Sequence, residues 1–168
     1  MIYKIESLFT EDEAFSLILK HEKDCIEISK QTSHTMPTEV LSKFRGKSLN
    51  EGEILPTLAE VYSDPNLRKS SNKIFWQNGA MAQFVKYTKG DHFNWHKDYH
   101  QEHTIIIALN NDYTGGELEI KEHGSYNLKT GDCIMFPALI PHRIIPITSG
   151  IRYSIVIWHQ QSPPPQYK

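Results

Sequence analysis

After Phe75 the chain breaks into eight short runs suited to strands, at residues 81–87, 92–98, 104–109, 117–120, 125–128, 133–136, 142–147 and 151–158. Turn signals separate them: TKGD, NNDYTGG, EHGS, KTGD, PALIP and TSG. Short runs punctuated in this way do not build a helical bundle. No helix alternates with them, so a parallel sheet wound with crossover helices is excluded as well. What remains is a β-sandwich or a closed barrel.

The first half reads differently. TEDE, at residues 10–13, has the form of a capping box. Thr10 accepts from an orphan amide while Glu13 reaches back. A helix is expected from there to about Lys23, with Phe15, Leu17, Ile18 and Leu19 on its apolar side. A second helical stretch is expected at 54–62, where Pro56 is tolerable near the start. Most of 29–73 is polar and punctuated, which leaves a substrate-closing lid and a plain surface connection both open. The tail at 161–168, QSPPPQYK, is expected to be extended and loosely ordered. The expected organisation is one domain over 1–168, with a helical and irregular part at 1–74, a β-rich core at 75–160 and a flexible tail.

Several functions are disfavoured by composition. A net charge of −2 gives no electrostatic reason for nucleic acid or an anionic membrane. No apolar run approaches ~20 residues, so no spanning helix is expected. The opening MIYKIESLFTEDEAF meets charge too early for a secretory signal. Cys25 and Cys133 make no metal spacing and are expected as reduced thiols in a cytoplasm.

HFNWHKDYH, residues 92–100, holds three histidines and an aspartate. On a helix His92, His96 and His100 would share a face. HKDYH follows zinc-protease spacing, but Lys97 stands where that chemistry needs a glutamate base. On a strand, period two puts Asn94, His96 and Asp98 on one side, where an imidazole and a carboxylate grip one metal. His-x-Asp alone is also an ordinary polar surface strand. The other histidines, His92, His100, His103, His123 and His159, are expected at the surface.

Arg152 sharpens the choice. Alternation places Arg152, Ser154, Val156 and Trp158 on one strand face, so the arginine is a lone cation among Ile151, Tyr153, Ile155, Val156 and Ile157. A buried arginine needs an anion. Glu117 or Glu119 would serve, and so would a bound carboxylic acid matched to the guanidinium fork.

Taken together, His96-x-Asp98, then His142, then Arg152 resemble the iron(II)- and 2-oxoglutarate-dependent oxygenases, and within them the prolyl 4-hydroxylase-like, PKHD-type branch. QFVKYTKGDHFNWHKD, ALNNDYTGGELEI and LKTGDCIMFPALIPHRIIPITSGIRYSIVIW are similar to that family's successive segments. The resemblance implies a double-stranded β-helix, or jelly roll, with N-terminal helices packed outside. It implies His96, Asp98 and His142 as metal ligands, and Arg152, Tyr87 and Ser154 as binding residues for 2-oxoglutarate. Iron(II), 2-oxoglutarate and oxygen follow as cofactor and co-substrates, with ascorbate as an auxiliary reductant. The implied reaction hydroxylates an aliphatic C–H of a peptide, protein or small-molecule substrate, foremost a prolyl or other amino-acid residue. Asn94, Trp95 and Arg143 are candidate substrate contacts. Two rivals stand beside this reading. One is a cupin-like metalloenzyme without 2-oxoglutarate, which has no need for Arg152. The other is a non-catalytic module, which has no need for three ligands.

Overall fold

A computed structural model describes residues 2–27, 33–34, 68–69, 71–77, 80–98 and 103–159. The expected helix at 54–62, the tail and most of 29–73 lie outside the described residues. The elements run in the order β1 (Tyr3–Ile5), α1 (Glu11–His21), β2 (Ile26–Glu27), β3 (Ser33–His34), β4 (Arg68–Lys69), β5 (Ser71–Gln77), β6 (Ala80–Tyr87) and β7 (His92–His96). They continue as β8 (His103–Ala108), β9 (Thr114–Gly115), β10 (Leu118–Ile120), β11 (Gly124–Tyr126), β12 (Cys133–Pro137), β13 (His142–Ile144), β14 (Ile147–Ser149) and β15 (Arg152–His159).

Two sheets face each other. The larger has eight strands in the order β1-β12-β8-β15-β6-β5-β2, with β3 beside β5, and the smaller runs β11-β10-β13-β7-β4. Pairing is antiparallel except for β3 against β5. This is the expected jelly roll. β1 is a strand that its three residues, YKI, do not announce. HRIIPI, read as one run, is split between β13 and β14. Pro146 lacks the N–H that an uninterrupted ladder requires.

TIIIAL shows how the layers are made. Ile106 and Ala108 turn inward between the sheets, with Phe93, Leu118, Ile134 and Phe136. Ile105, Ile107 and Leu109 face the other way and pack on Ala14, Leu17 and Ile18 of α1. Both faces of β8 are covered, so the strand is apolar throughout. The helix begins where expected: Glu13 N–H donates to Thr10 Oγ1 and Thr10 N–H to Glu13 Oε1, each at 3.1 Å.

One glycine ties the helix segment to the barrel. Gly131 has φ +88°, and a Cβ there would lie 2.0 Å from the carbonyl oxygen of Phe9. Phe9 N–H also donates to Gly131 O at 3.2 Å. Gly131→Ala meets both a disfavoured backbone region and a backbone clash. It is expected to lower unfolding stability by about 2 kcal/mol or more, read by urea denaturation.

Candidate metal centre

The candidate ligands are brought together by an irregularity in the smaller sheet. His142 stands opposite His96 and Ile144 opposite Phe93, so β7 spends one more residue than β13 over the same stretch. The extra residue breaks the period of two. Phe93 and His96 both turn inward, and their rings stack with centroids 3.5 Å apart. Asn94 and Trp95 are both exposed. Strict alternation placed Asn94 beside His96 and Asp98; the bulge corrects this, and Asn94 is not part of the pocket wall. Trp95 and Arg143 also lie off that wall. Arg143 sits 4.7 Å over the Trp95 ring and binds Glu119 through Nε at 2.8 Å and Nη2 at 2.7 Å. Of the remaining histidines, His123 is exposed, whereas His92 and His103 are half-buried. His100 and the His159 side chain lie outside the described residues.

His96, Asp98 and His142 offer one ligand atom each, all within 4.8 Å of one another. Asp98 Oδ1 is 3.5 Å from His96 Nε2, and Oδ2 is 3.2 Å from His142 Nε2. His96 Nδ1 lies 2.7 Å from Asn94 O and His142 Nδ1 lies 2.8 Å from Ile140 O. A carbonyl oxygen only accepts, so each Nδ1 carries the hydrogen and each Nε2 keeps its lone pair for a metal. Asp98 is held from its backbone as well, its N–H donating to Ala138 O at 2.9 Å. Thr104 donates its hydroxyl to Oδ2. Burial pushes the Asp98 carboxyl up, but His142, His96 and Thr104 outweigh it and hold the carboxyl down at about 2. It is therefore ionised through the neutral range. Two imidazole nitrogens and one carboxylate converging this closely suit a divalent transition metal.

The same pocket, about 390 Å³ with its mouth, contains an anion end. Arg152 is 5% exposed, opposite Tyr87 in the β15–β6 ladder. Its Nη1 donates to Ser154 Oγ at 3.1 Å, and its guanidinium carbon lies 5.4 Å from the Tyr87 ring centre. Nε has no hydrogen-bond partner. Neither glutamate considered from the sequence pairs with it: Glu119 binds Arg143, and no ion pair joins Arg152 to Glu117. Gly116 lets the arginine pass, since a Cβ there would fall 3.1 Å from Arg152 Cδ and 2.4 Å from Ile147 Cδ1. Phe93, Ile106, Ile144 and Val156 form an apolar wall between the two ends.

Two polar wall residues went unassigned in the sequence. Thr104 is one, and Gln83, which shares the Val85–Tyr87 face of β6, is the other. Period two along QFVKY and TIIIAL was the signal available for both.

The described residues contain no helix long and apolar enough to cross a membrane. Residues 82–160 match the model of the 2OG-Fe(II) oxygenase superfamily. A PKHD-type hydroxylase from Synechococcus sp. is 42% identical over 60 residues, which are 34% of this chain and 27% of that protein. Another from Delftia acidovorans is 36% identical over 58 residues, 33% of this chain and 26% of the relative. The matched segment thus spans about a quarter of the length of these curated relatives. In fold the chain is similar to the viral collagen prolyl hydroxylase of Paramecium Bursaria Chlorella virus-1, with a TM-score of 0.64, 18% identity and 96% of both chains covered. It is also similar to a Trichoplax adhaerens prolyl hydroxylase solved with a hypoxia inducible factor peptide, with a TM-score of 0.54, 12% identity, and 95% of this chain and 83% of that one covered. Residues 82–160, the stretch that matches the 2OG-Fe(II) oxygenase superfamily, are the ones that carry His96, Asp98, His142 and Arg152.

Proposed function

We propose that this protein is an Fe(II)- and 2-oxoglutarate-dependent hydroxylase acting on an aliphatic C–H, foremost of a prolyl or other amino-acid residue. The observation that carries the reading is Arg152, a buried cation with no anionic partner among the described residues, in one pocket with His96, Asp98 and His142. A cupin-like enzyme without 2-oxoglutarate has no use for that cation. Hydroxylation as the reaction is supported by the PKHD-type hydroxylases that the chain resembles.

In this reading His96 Nε2, Asp98 and His142 Nε2 would hold the iron, and three protein ligands would leave it room for 2-oxoglutarate and oxygen. Ferrous iron supplies the oxygen activation by which 2-oxoglutarate is split to succinate and carbon dioxide as a C–H is hydroxylated. The Nδ1 bonds to Asn94 O and Ile140 O fix both ring orientations. Arg152 takes the far carboxylate of 2-oxoglutarate in its fork, with the Tyr87 and Ser154 hydroxyls as further contacts. Phe93, Ile106, Ile144 and Val156 keep water from the space between.

Work in a reducing cytoplasm is part of the proposal. Ascorbate would serve to keep the iron ferrous. The test is succinate release by the iron-loaded protein with peptide and amino-acid pools, ascorbate present, followed by mass spectrometry. Succinate coupled to a +16 product is expected. Turnover that proceeds equally without 2-oxoglutarate would overturn the reading.

A further inference from the structure

We propose that Gln83 is a co-substrate-binding residue whose side-chain amide donates a hydrogen bond to the keto-acid head of 2-oxoglutarate. The inference rests on the function proposed above. Its starting point is a buried amide with nothing to bind: Gln83 is 0% exposed, lines the pocket, and neither Nε2 nor Oε1 has a hydrogen-bond partner. Buried polar side chains are nearly always bonded, and an orphan costs stability. That cost is offset when a ligand supplies the missing partner.

The strand ladders say where the ligand would meet it. Along β15, Arg152 stands opposite Tyr87, Ser154 opposite Val85, and Val156 opposite Gln83 on one side and Ile106 on the other. Thr104, which holds Asp98, lies further from Arg152 along the ladder, paired with Trp158 of β15. A molecule reaching from Arg152 to the triad therefore passes the row of Gln83, Val156 and Ile106. Two of those side chains are apolar, so Gln83 gives the row its one polar group.

Donor accounting points the same way. Near the triad, His96 Nδ1 and His142 Nδ1 already donate to backbone carbonyls, and the Thr104 hydroxyl already donates to Asp98. The keto-acid head presents only acceptors. Among the described residues lining that end of the pocket, Gln83 Nε2 is the side-chain donor left for it.

The test measures 2-oxoglutarate binding to the Fe(II)-loaded protein by calorimetry without oxygen, alongside melting temperature and iron content. Gln83→Met keeps the length and removes both polar atoms. It is expected to weaken 2-oxoglutarate about tenfold or more, as for a lost bond to a charged group. Iron content should stay unchanged, and the melting temperature should hold or rise because an orphaned amide has gone. Gln83→Glu keeps the shape but sets a carboxylate against the ligand's own, so its loss should be at least as large; it also carries the test if the methionine variant fails to fold. A dissociation constant within twofold of wild type in either folded variant would overturn the inference. So would a lowered melting temperature with affinity unchanged, which marks a structural glutamine. Wild-type protein that binds iron but no 2-oxoglutarate would overturn the proposed function, and the inference with it.

Discussion

Asp98→Ala is expected to abolish turnover and strip the iron while the chain stays folded. Asp98 is the one carboxylate of the triad, held ionised at about 2 and within 3.5 Å of both ligand nitrogens. His96 Nε2 and His142 Nε2 alone offer a divalent ion no charge. Groups that merely orient a ligand already cost about 10–100-fold in metal affinity when removed, so loss of a direct ligand should exceed that. The fold has little stake in the residue. The barrel core is built from Val85, Ile106, Leu118, Ile134 and Phe136, none of which touches the metal by chemistry. Circular dichroism should therefore stay near wild type, and metal analysis should show iron near zero; the melting temperature should fall, because the iron and the Asp98 contacts are lost together. His96→Ala and His142→Ala should behave alike. A folded Asp98→Ala protein that keeps its iron and full activity would sink the triad assignment.

How far the sequence led can be judged from three strands. TIIIAL and IRYSIVIW carried their own evidence, because strands apolar on consecutive residues must be covered on both faces, as β8 and β15 are. The N-cap was equally plain, since Thr10 and Glu13 are local chemistry. β7 was not. HFNWH contains no glycine or proline to mark a bulge, and the offset arises only when β7 pairs with β13. Asn94 was consequently set on the wrong side, while His96 and Asp98 still reached the pocket because the bulge precedes both. Pairing register also decided the glutamates. Glu119 faces Arg143 across β10–β13 and not Arg152, which no single-strand pattern reveals. Gln83 was visible on the Tyr87 face, but a glutamine on a strand carries no chemistry until its burial is known. What was legible was local periodicity; what was not depended on which strand lies beside which.

Arg152→Ala is expected to cost 2-oxoglutarate use specifically. Truncating one member of a buried, hydrogen-bonded charge pair typically costs ~2–5 kcal/mol. At ~1.4 kcal/mol per tenfold, the loss in apparent affinity should be roughly thirtyfold or more. The structure separates this from a structural role. Among the described residues Arg152 has no carboxylate partner, so alanine orphans no buried anion there; it releases the Ser154 hydroxyl. Without co-substrate the melting temperature should therefore change little, whereas added 2-oxoglutarate should no longer raise it. Iron should still bind, because His96, Asp98 and His142 are intact. Arg152→Lys keeps the charge but not the planar fork, so it should recover only part of the affinity. The decisive comparison is the KM for 2-oxoglutarate and the melting temperature on one preparation. A folded alanine variant whose KM stays within about twofold of wild type would contradict a co-substrate role, since an interaction made with the bound molecule must appear in its binding.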